Sequence, residues 1–287
     1  MKVLAHNYNG VLDDVLPHLD LVQDILSADI YLSWQDIDPQ FVNLYKSAKA
    51  LGKKSFLMSH CYGSCTHYLA PNTYTPLADR YLVWGQYDFE LAQKAFMGRR
   101  TIITGSPIFG HVKPKVAHEE TNIVFCPYHN DVELEESLQI AEELSSYDAT
   151  VYTKVLSDCT HLYHNIVVTN RNKPGHIETT FDLLSEADVV VVNDPISTFV
   201  LLAFAAGVPV ISVVEERRLT NLIGQSQKNI KDALQTGVTE TTIKNLHTTL
   251  DSVLANDTKK EQRAYWCEYM GVNIKNPIEN ILNAINS

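Results

Sequence analysis

The feature that most constrains this chain is a run of four valines, Val189–Val192, that ends in a cluster of polar and turn-forming residues. An uninterrupted apolar run is typical of a strand in a parallel sheet that helices cover on both faces. The cluster that follows, Asn193 to Thr198, is succeeded by a short apolar segment, then by Gly207 and Pro209. The run therefore predicts a buried strand, a polar turn and a buried helix in succession.

Short β-rich runs alternate with amphipathic segments along the rest of the chain, in two series. The first series is Val3–His6, Ile30–Trp34, Ser55–Ser59, Tyr81–Trp84 and Thr101–Thr104, and the second is Ile123–Cys126, Thr150–Thr153, Ile166–Thr169, Val189–Val192 and Val208–Val213. This alternation predicts an α/β fold with parallel sheets and right-handed crossovers. The glycines, prolines and mixed charges of residues 105–121 are typical of a linker. We therefore predict two domains, residues 1–113 and 114–264, with a last helix, about 265–287, that can pack back onto the first.

The formal net charge of −11 argues against a protein that simply coats nucleic acid. The charge is uneven, because acids dominate up to Asp38 whereas cations dominate from Pro39 to Lys115. This basic middle segment is compatible with an anionic acceptor, although solvated helix faces explain it equally well. Five cysteines spread over a long chain fit a reducing compartment, and no apolar run is long enough to span a bilayer. We therefore expect a cytoplasmic protein.

Cys61 and Cys65, flanked by His60 and His67, form the group whose residue types best suit a metal ion. No second pair of ligands follows at zinc spacing, so we predict no metal site and interpret the thiols as loop residues.

The polar cluster after the valines lies where open α/β sheets bind their ligands, at the carboxyl end of a strand. A helix that begins near Ser197 has backbone N–H groups without partners and a dipole that favours an anion. Helix capping accounts for one polar residue and poorly for four. The cluster therefore predicts a phosphate site at Asp194, Ser197 and Thr198, with capping as the alternative.

Several short segments carry a family resemblance. Around the valines they are Asp182-Leu183-Leu184, Ala187-Asp188, Asp194, Ser197-Thr198 and Gly207–Ile211, and elsewhere they are Met58–Ser64, Val83–Asp88, Thr104–Gly110, Ile123–Asp131 and Val151–Val155. In this order they resemble the GT-B-fold transferases, and more narrowly the CDP-glycerol glycerophosphotransferases of teichoic-acid synthesis and the capsule polysaccharide transferases. The chain departs from that pattern, because Lys154 is not followed by His-Pro and Ile108 stands where the family has arginine. These departures weigh against glycerophosphate transfer in particular.

The resemblance implies two Rossmann-like domains whose mostly parallel sheets face each other across a cleft. It also implies a UDP- or CDP-linked donor, with no separate cofactor and no metal. The implied donor-binding residues are Lys154, Glu178, Thr179, Asp194, Ser197 and Thr198.

The acceptor hydroxyl requires a general base on the first domain. His60 follows a predicted strand and its imidazole suits proton transfer near neutral pH, while Asp13 near the first strand–helix turn is a second candidate. We expect Tyr62, Trp84 and His129 to bind the acceptor.

The predicted function is a glycosyltransferase that moves a sugar from a nucleotide-activated donor to a hydroxyl acceptor. One alternative is glycerophosphate transfer from CDP-glycerol to a polyol-phosphate or lipid. A second is a phage-type DNA glycosyltransferase acting on hydroxymethylated bases, which the basic segment favours and the overall acidity disfavours. A third is a non-catalytic nucleotide- or sugar-binding module, because the histidine motifs of the family are broken.

Overall fold

The computed structural model describes residues 1–7, 12–34, 36, 38–59, 77–95, 98–127, 134–155, 166–168, 176–193, 197–213 and 237–287. These residues form two α/β units, each built on a six-stranded parallel sheet. The first unit contains residues 1–110 and 268–287, and the second contains the described residues between 111 and 267. The predicted fold class, α/β with two mostly parallel sheets, is confirmed.

The sheet of the first unit has the strand order β2-β1-β3-β4-β5-β6. Its strands are β1 (Lys2–His6), β2 (Asp20–Leu21), β3 (Ile30–Ser33), β4 (Lys54–Met58), β5 (Arg80–Val83) and β6 (Thr101–Ile103), and its first two helices are α1 (Pro39–Ala50) and α2 (Gln86–Lys94). The strand order reverses between β1 and β3, as it does in flavodoxin-like sheets. The edge strand β2 was not predicted, because two residues carry no periodic signal.

The sheet of the second unit has the strand order β12-β11-β10-β7-β8-β9. Its strands are β7 (Asn122–Cys126), β8 (Thr150–Val155), β9 (Ile166–Val168), β10 (Val189–Val192), β11 (Val210–Val213) and β12 (Thr239–Thr241). Counted from β7, this is the Rossmann order 3-2-1-4-5-6, so the sheet reverses direction between β7 and β10. The edge strand β12 is short and polar, and it too was not predicted.

Among the described residues of the second unit, five helices accompany this sheet. They are α3 (Leu134–Ser145), α4 (His176–Glu186), α5 (Thr198–Ala205), α6 (Leu246–Ala255) and α7 (Lys260–Tyr269). The valine run occupies β10, is fully buried and pairs with β7 on one side and β11 on the other. A central strand covered on both faces is the environment that its unbroken apolar sequence predicts.

The last helix, α8 (Pro277–Asn286), packs on the sheet of the first unit. Its buried residues Ile281, Ala284 and Ile285 share a hydrophobic cluster with side chains from β1, β3, β4 and β5. The side-chain amide of Asn280 donates to the carbonyl of Thr104 at 3.2 Å. The first unit therefore draws part of its core from residues that follow the second unit in the chain.

A direct backbone contact also joins the C-terminal segment to the first unit. Gly271, at φ 82°, lies so close to Trp84 that a Cβ on it would be 2.0 Å from the Trp84 carbonyl oxygen. A Cβ on Gly85 would lie 2.4 Å from the carbonyl carbon of Met270. Only glycine fits at these two positions, because the neighbouring atoms are backbone and cannot rotate away.

A partly buried ion pair stabilises the second unit near α7. The Arg263 guanidinium, whose side chain is 4% exposed, donates two hydrogen bonds to Asp257, with Nη1 2.8 Å from Oδ1. Burial opposes ionisation of Asp257, but the hydrogen bonds and charge of Arg263 outweigh it and lower the pKa of the carboxyl.

We expect Asp257→Asn to lower the free energy of unfolding by about 3 kcal/mol at neutral pH, because it leaves a buried guanidinium without its counter-charge. A carboxyl whose pKa is lowered on folding stabilises the protein above its unfolded pKa of about 3.9, and this contribution is lost as the pH falls through the folded pKa. Denaturant titrations should therefore show a difference in the free energy of unfolding between wild type and variant, and this difference should disappear at acidic pH. The control is Asp251→Asn, at an exposed residue. Equal losses of unfolding free energy in the two variants would contradict a stabilising ion pair between Asp257 and Arg263.

Candidate functional site

The strand order of the second sheet reverses between β7 and β10, and the region at the carboxyl ends of these two strands is here called the switch crevice. Asn193 follows β10 directly and is 1% exposed, although it is polar. Its side-chain amide donates to the Ser137 hydroxyl of α3 at 2.7 Å, and Ser137 is fully buried. The hydrogen bond thus ties the end of β10 to α3. Ligands of open α/β sheets bind at such a reversal.

The N-terminus of α5 lies beside the switch crevice, four residues after Asn193. Ser197 is the N-cap, and its hydroxyl accepts a hydrogen bond from the Phe199 amide at 3.3 Å. Ser197 therefore acts as a helix cap, as the alternative interpretation predicted. The other backbone N–H groups of the first turn of α5 can still bind an anion. Thr198, the first residue of α5, is partly buried. Asp194 lies outside the described residues.

A buried cation lies next to the beginning of α5. Lys154, near the end of β8, is 7% exposed, and its Nζ lies 4.8 Å from the centroid of the Phe199 ring. Because β7 stands between β8 and β10 in the sheet, this cation–π contact spans the carboxyl end of β7. A buried positive charge and a helix N-terminus thus converge at the switch crevice, which is a favourable arrangement for an anion.

The N-terminus of α3, on the other side of the crevice, carries acidic side chains, unlike the N-terminus of α5. Its first turn carries Glu135 and Glu136, whereas the first turn of α5 carries no acid. Carboxylates at a helix N-terminus already interact with its dipole and repel a second anion. An anionic ligand is therefore favoured at α5 over α3, although α3 follows the first strand of the Rossmann order.

The other predicted donor residues lie on α4. Glu178 and Thr179 are exposed in its first turn, and the Glu178 carboxylate lies 3.7 Å from Nδ1 of His111. Their contact with a nucleoside stays a prediction.

The predicted acceptor-side residues are described only in part. Asp13 is exposed just beyond the carboxyl end of β1, and its carboxylate accepts a hydrogen bond from the Asn7 amide at 2.6 Å. His60, Tyr62 and His129 lie outside the described residues, so their roles stay predictions.

Trp84 has a different environment from the one expected of an acceptor-binding residue. It is 1% exposed, its indole nitrogen donates to the Ser59 carbonyl at 2.8 Å, and its ring packs 5.4 Å from that of Phe109. The side chain is thus part of the core of the first unit, and stacking on an acceptor would require it to leave this packing.

Two acids of the family pattern bind the linker and lie away from the switch crevice. Asp182 pairs with Lys113. Asp188 accepts hydrogen bonds from the Lys115 side chain at 2.7 Å and from the backbone N–H of Asn122 at 2.9 Å. Burial opposes ionisation of Asp188, but these hydrogen bonds and the nearby cations lower its pKa. Lys113 and Lys115 of the basic middle segment therefore neutralise acids of their own unit, which weakens the case for an anionic acceptor such as DNA.

Within the described ranges, no group of three or more His, Cys, Asp and Glu side chains could hold a metal ion, and Cys61 and Cys65 lie outside those ranges. None of the helices described above is both long and apolar enough to cross a membrane.

Comparison with known proteins identifies the architecture. No protein-family model matches the chain, and no curated protein matches it in sequence. Among solved structures, the wall teichoic acid polymerase TagF in a CDPG-soaked variant aligns over 99% of this chain and 88% of its own, with a TM-score of 0.61 and 12% identity. The glycotransferase of kitacinnamycin aligns over 98% and 89%, with a TM-score of 0.54 and 14% identity.

A third similar structure is the Arabidopsis thaliana glycosyltransferase UGT89C1 complexed with UDP-L-rhamnose, which aligns over 96% of this chain and 74% of its own, with a TM-score of 0.55 and 13% identity. The chain has the GT-B fold. The resemblance to GT-B transferases predicted from the short motifs is thereby confirmed. At these identities the likeness is one of fold, so the chemistry of this GT-B chain has to be argued from its own residues.

Ser137 is a partner of the site that was not predicted from the sequence. A signal was present, because Ser137 shares a helical face with Ile140 and Leu144, which pack in the core of the second unit. A serine on a core-facing position needs a hydrogen-bond partner. The partner itself, Asn193, is distant in sequence and could be identified only from the fold.

Proposed function

We propose that this chain is a glycosyltransferase that transfers a glycosyl group from a nucleotide-activated donor to a hydroxyl acceptor, without a metal ion. The observation that carries the proposal is the convergence of Lys154 and the N-terminus of α5 at the switch crevice. Glycosyl transfer breaks the bond between the anomeric carbon and a phosphate oxygen, so negative charge develops on the leaving phosphate. A fixed cation and a helix N-terminus stabilise that charge more in the transition state than in the ground state.

The remaining roles belong to the same proposal. Glu178 and Thr179 bind the nucleoside of the donor, Thr198 binds its phosphates, and Asp194 contributes to binding of the donor. On the acceptor side, His60 or Asp13 removes the proton from the attacking hydroxyl. The donor is UDP- or CDP-linked.

Glycerophosphate transfer from CDP-glycerol is the second candidate, because the TagF structure with a TM-score of 0.61 is one soaked with CDPG. This reaction breaks a phosphate–phosphate bond and releases CMP, whereas glycosyl transfer from a UDP-sugar releases UDP. The same anion site would serve both reactions. Identifying the released nucleotide therefore separates them.

We expect UDP- or CDP-linked donors to bind the wild-type protein and raise its melting temperature. Lys154→Met should weaken that binding by about tenfold to a hundredfold, because a hydrogen bond to a charged group contributes about 1.5–3 kcal/mol. Calorimetric titration of each donor gives the dissociation constants. The control is Lys115→Met, which removes a lysine that pairs with Asp188 away from the crevice and should leave binding unchanged.

Absence of binding by every nucleotide conjugate would contradict the transferase proposal. Binding without release of UDP, CDP or CMP in the presence of polyol, glycan and hydroxymethylated-DNA acceptors would instead favour the non-catalytic module.

A further inference from the structure

Asn193 occupies an unusual position for a polar side chain. It comes directly after the buried strand β10, four residues before the N-cap of α5, yet it is 1% exposed. Its side-chain amide donates to Ser137, which is also fully buried. A buried hydrogen bond between neutral side chains contributes only about 1 kcal/mol of net stability, and an apolar pair of the same shape could replace it. Stability alone therefore does not require a polar pair at this position.

The hydrogen bond connects two elements that border the switch crevice. On one side, α3 is anchored in the core of the second unit through Ile140 and Leu144. On the other side, Asn193 begins the connection from β10 to α5. The hydrogen bond to Ser137 therefore fixes the start of this connection against α3, a helix that is packed in the core.

The position of α5 matters because the contact of Lys154 with Phe199 depends on it. Lys154 belongs to β8, on the far side of β7 from β10. Its Nζ lies 4.8 Å from the Phe199 ring only if α5 begins at the observed place. A displacement of about 1 Å at a reacting centre can reduce activity by a hundredfold, so a fixed start of α5 has functional value.

We propose that Asn193 is a positioning residue for the donor phosphate, acting through its hydrogen bond to Ser137 to hold the N-terminus of α5 opposite Lys154. The inference rests on the proposed function, because it assigns Asn193 to the same anion site. Asn193 does not touch the reacting atoms in this role. It sets the distance between the two groups that do bind the phosphate.

Asn122 provides a matched control within the same unit. It is also a buried asparagine, 9% exposed, and its side-chain amide donates to the carbonyl of Glu186 at 3.2 Å. It lies at the beginning of β7, whereas Asn193 lies at the carboxyl edge of the sheet. Removing either amide breaks a buried side-chain hydrogen bond, but only Asn193 is next to the crevice.

The experiment measures unfolding free energies and dissociation constants for UDP and CDP in the full chain. The variants are Asn193→Ala, Ser137→Ala, the double variant and Asn122→Ala. We expect all four to be less stable than wild type. Only the first three should bind the nucleotides more weakly, by about tenfold or more. The double variant should bind them no more weakly than Asn193→Ala, because both substitutions break the same hydrogen bond between Asn193 and Ser137.

The outcomes separate this inference from the proposed function. If the wild type binds the nucleotides and both Asn193→Ala and Ser137→Ala bind them within about twofold of it, the inference is overturned and the proposed function stands. Equal weakening by Asn122→Ala would also overturn the inference, since it would mark a general loss of stability. If the wild type binds neither nucleotide, the proposed function fails, and the inference fails with it. Should Asn193→Ala not fold, Ser137→Ala breaks the same hydrogen bond from the other side and decides the matter.

Discussion

Replacing Gly271 by alanine is expected to destabilise the first unit by about 3 kcal/mol or more. The added Cβ would lie 2.0 Å from the carbonyl oxygen of Trp84, and that carbonyl cannot move freely because Trp84 follows β5 and its indole is bonded to Ser59. Forcing atoms into a packed site costs about 1–3 kcal/mol, and the left-handed backbone at φ 82° adds about 1–2 kcal/mol for any residue with a Cβ. Urea unfolding of the variant and the wild type measures the difference.

Three other glycines separate the steric contribution from the conformational one. Gly52 has φ 67° but no atom within 4 Å of an added Cβ, so Gly52→Ala should lose only the conformational contribution of about 1–2 kcal/mol. Gly110 has open space and no positive φ, so Gly110→Ala should be nearly neutral. Gly85→Ala clashes with backbone atoms but has no positive φ, so it isolates the steric contribution and should lose about 1–3 kcal/mol. Similar losses for Gly271→Ala and Gly52→Ala would show that the backbone contact with Trp84 is not as close as described.

Deleting residues 277–287, which include α8, is expected to unfold the first unit while the second stays folded. Ile281 and Ile285 are 0% and 1% exposed in the core cluster of the first sheet. Loss of each isoleucine side chain costs about 2–5 kcal/mol, which together approaches the total stability of about 5–15 kcal/mol of a typical domain. Hydrogen exchange should show lost protection in β1, β3 and β4 and retained protection in β7, β10 and β11.

Single substitutions give a milder version of the same experiment. Ile281→Ala should raise exchange in the first sheet by lowering its stability by about 3 kcal/mol. Its control is Leu250→Ala, a fully buried residue of α6 in the core of the second unit, which should raise exchange in the second sheet instead. If Ile281→Ala raised exchange mainly in β7, β10 and β11, the assignment of α8 to the first unit would be wrong.

The sequence predicts the central architecture well, because buried parallel strands are distinctive. The valine run became β10, and all ten predicted strands have counterparts in the two sheets. The strand order could not be deduced in the same way, because the two sheets differ in order although both are built from alternating strands and helices. The short edge strands β2 and β12 were missed, since they have too few residues for hydrophobic periodicity and are defined mainly by their neighbours.

The candidate site was predictable only where residue type and position along one strand or helix suffice. Lys154 and Ser197 lie where their strand-end and helix-start positions predict. Asp182 and Asp188 belong to the same motif yet bind linker lysines, and Trp84 is in the core. Such contacts join residues that are distant in the chain, so no local pattern distinguishes a ligand-binding acid or aromatic residue from a structural one.

The helix α8 belongs to the first unit but follows the second unit in the chain, and this order affects folding during synthesis on the ribosome. Domains usually fold in the order in which they are made, with the N-terminal one first. Here the first unit leaves the ribosome early but lacks Ile281, Ala284 and Ile285 until the whole second unit has been translated. The apolar face that α8 covers on the first sheet therefore stays exposed until the end of translation, and the second unit can be complete before the first.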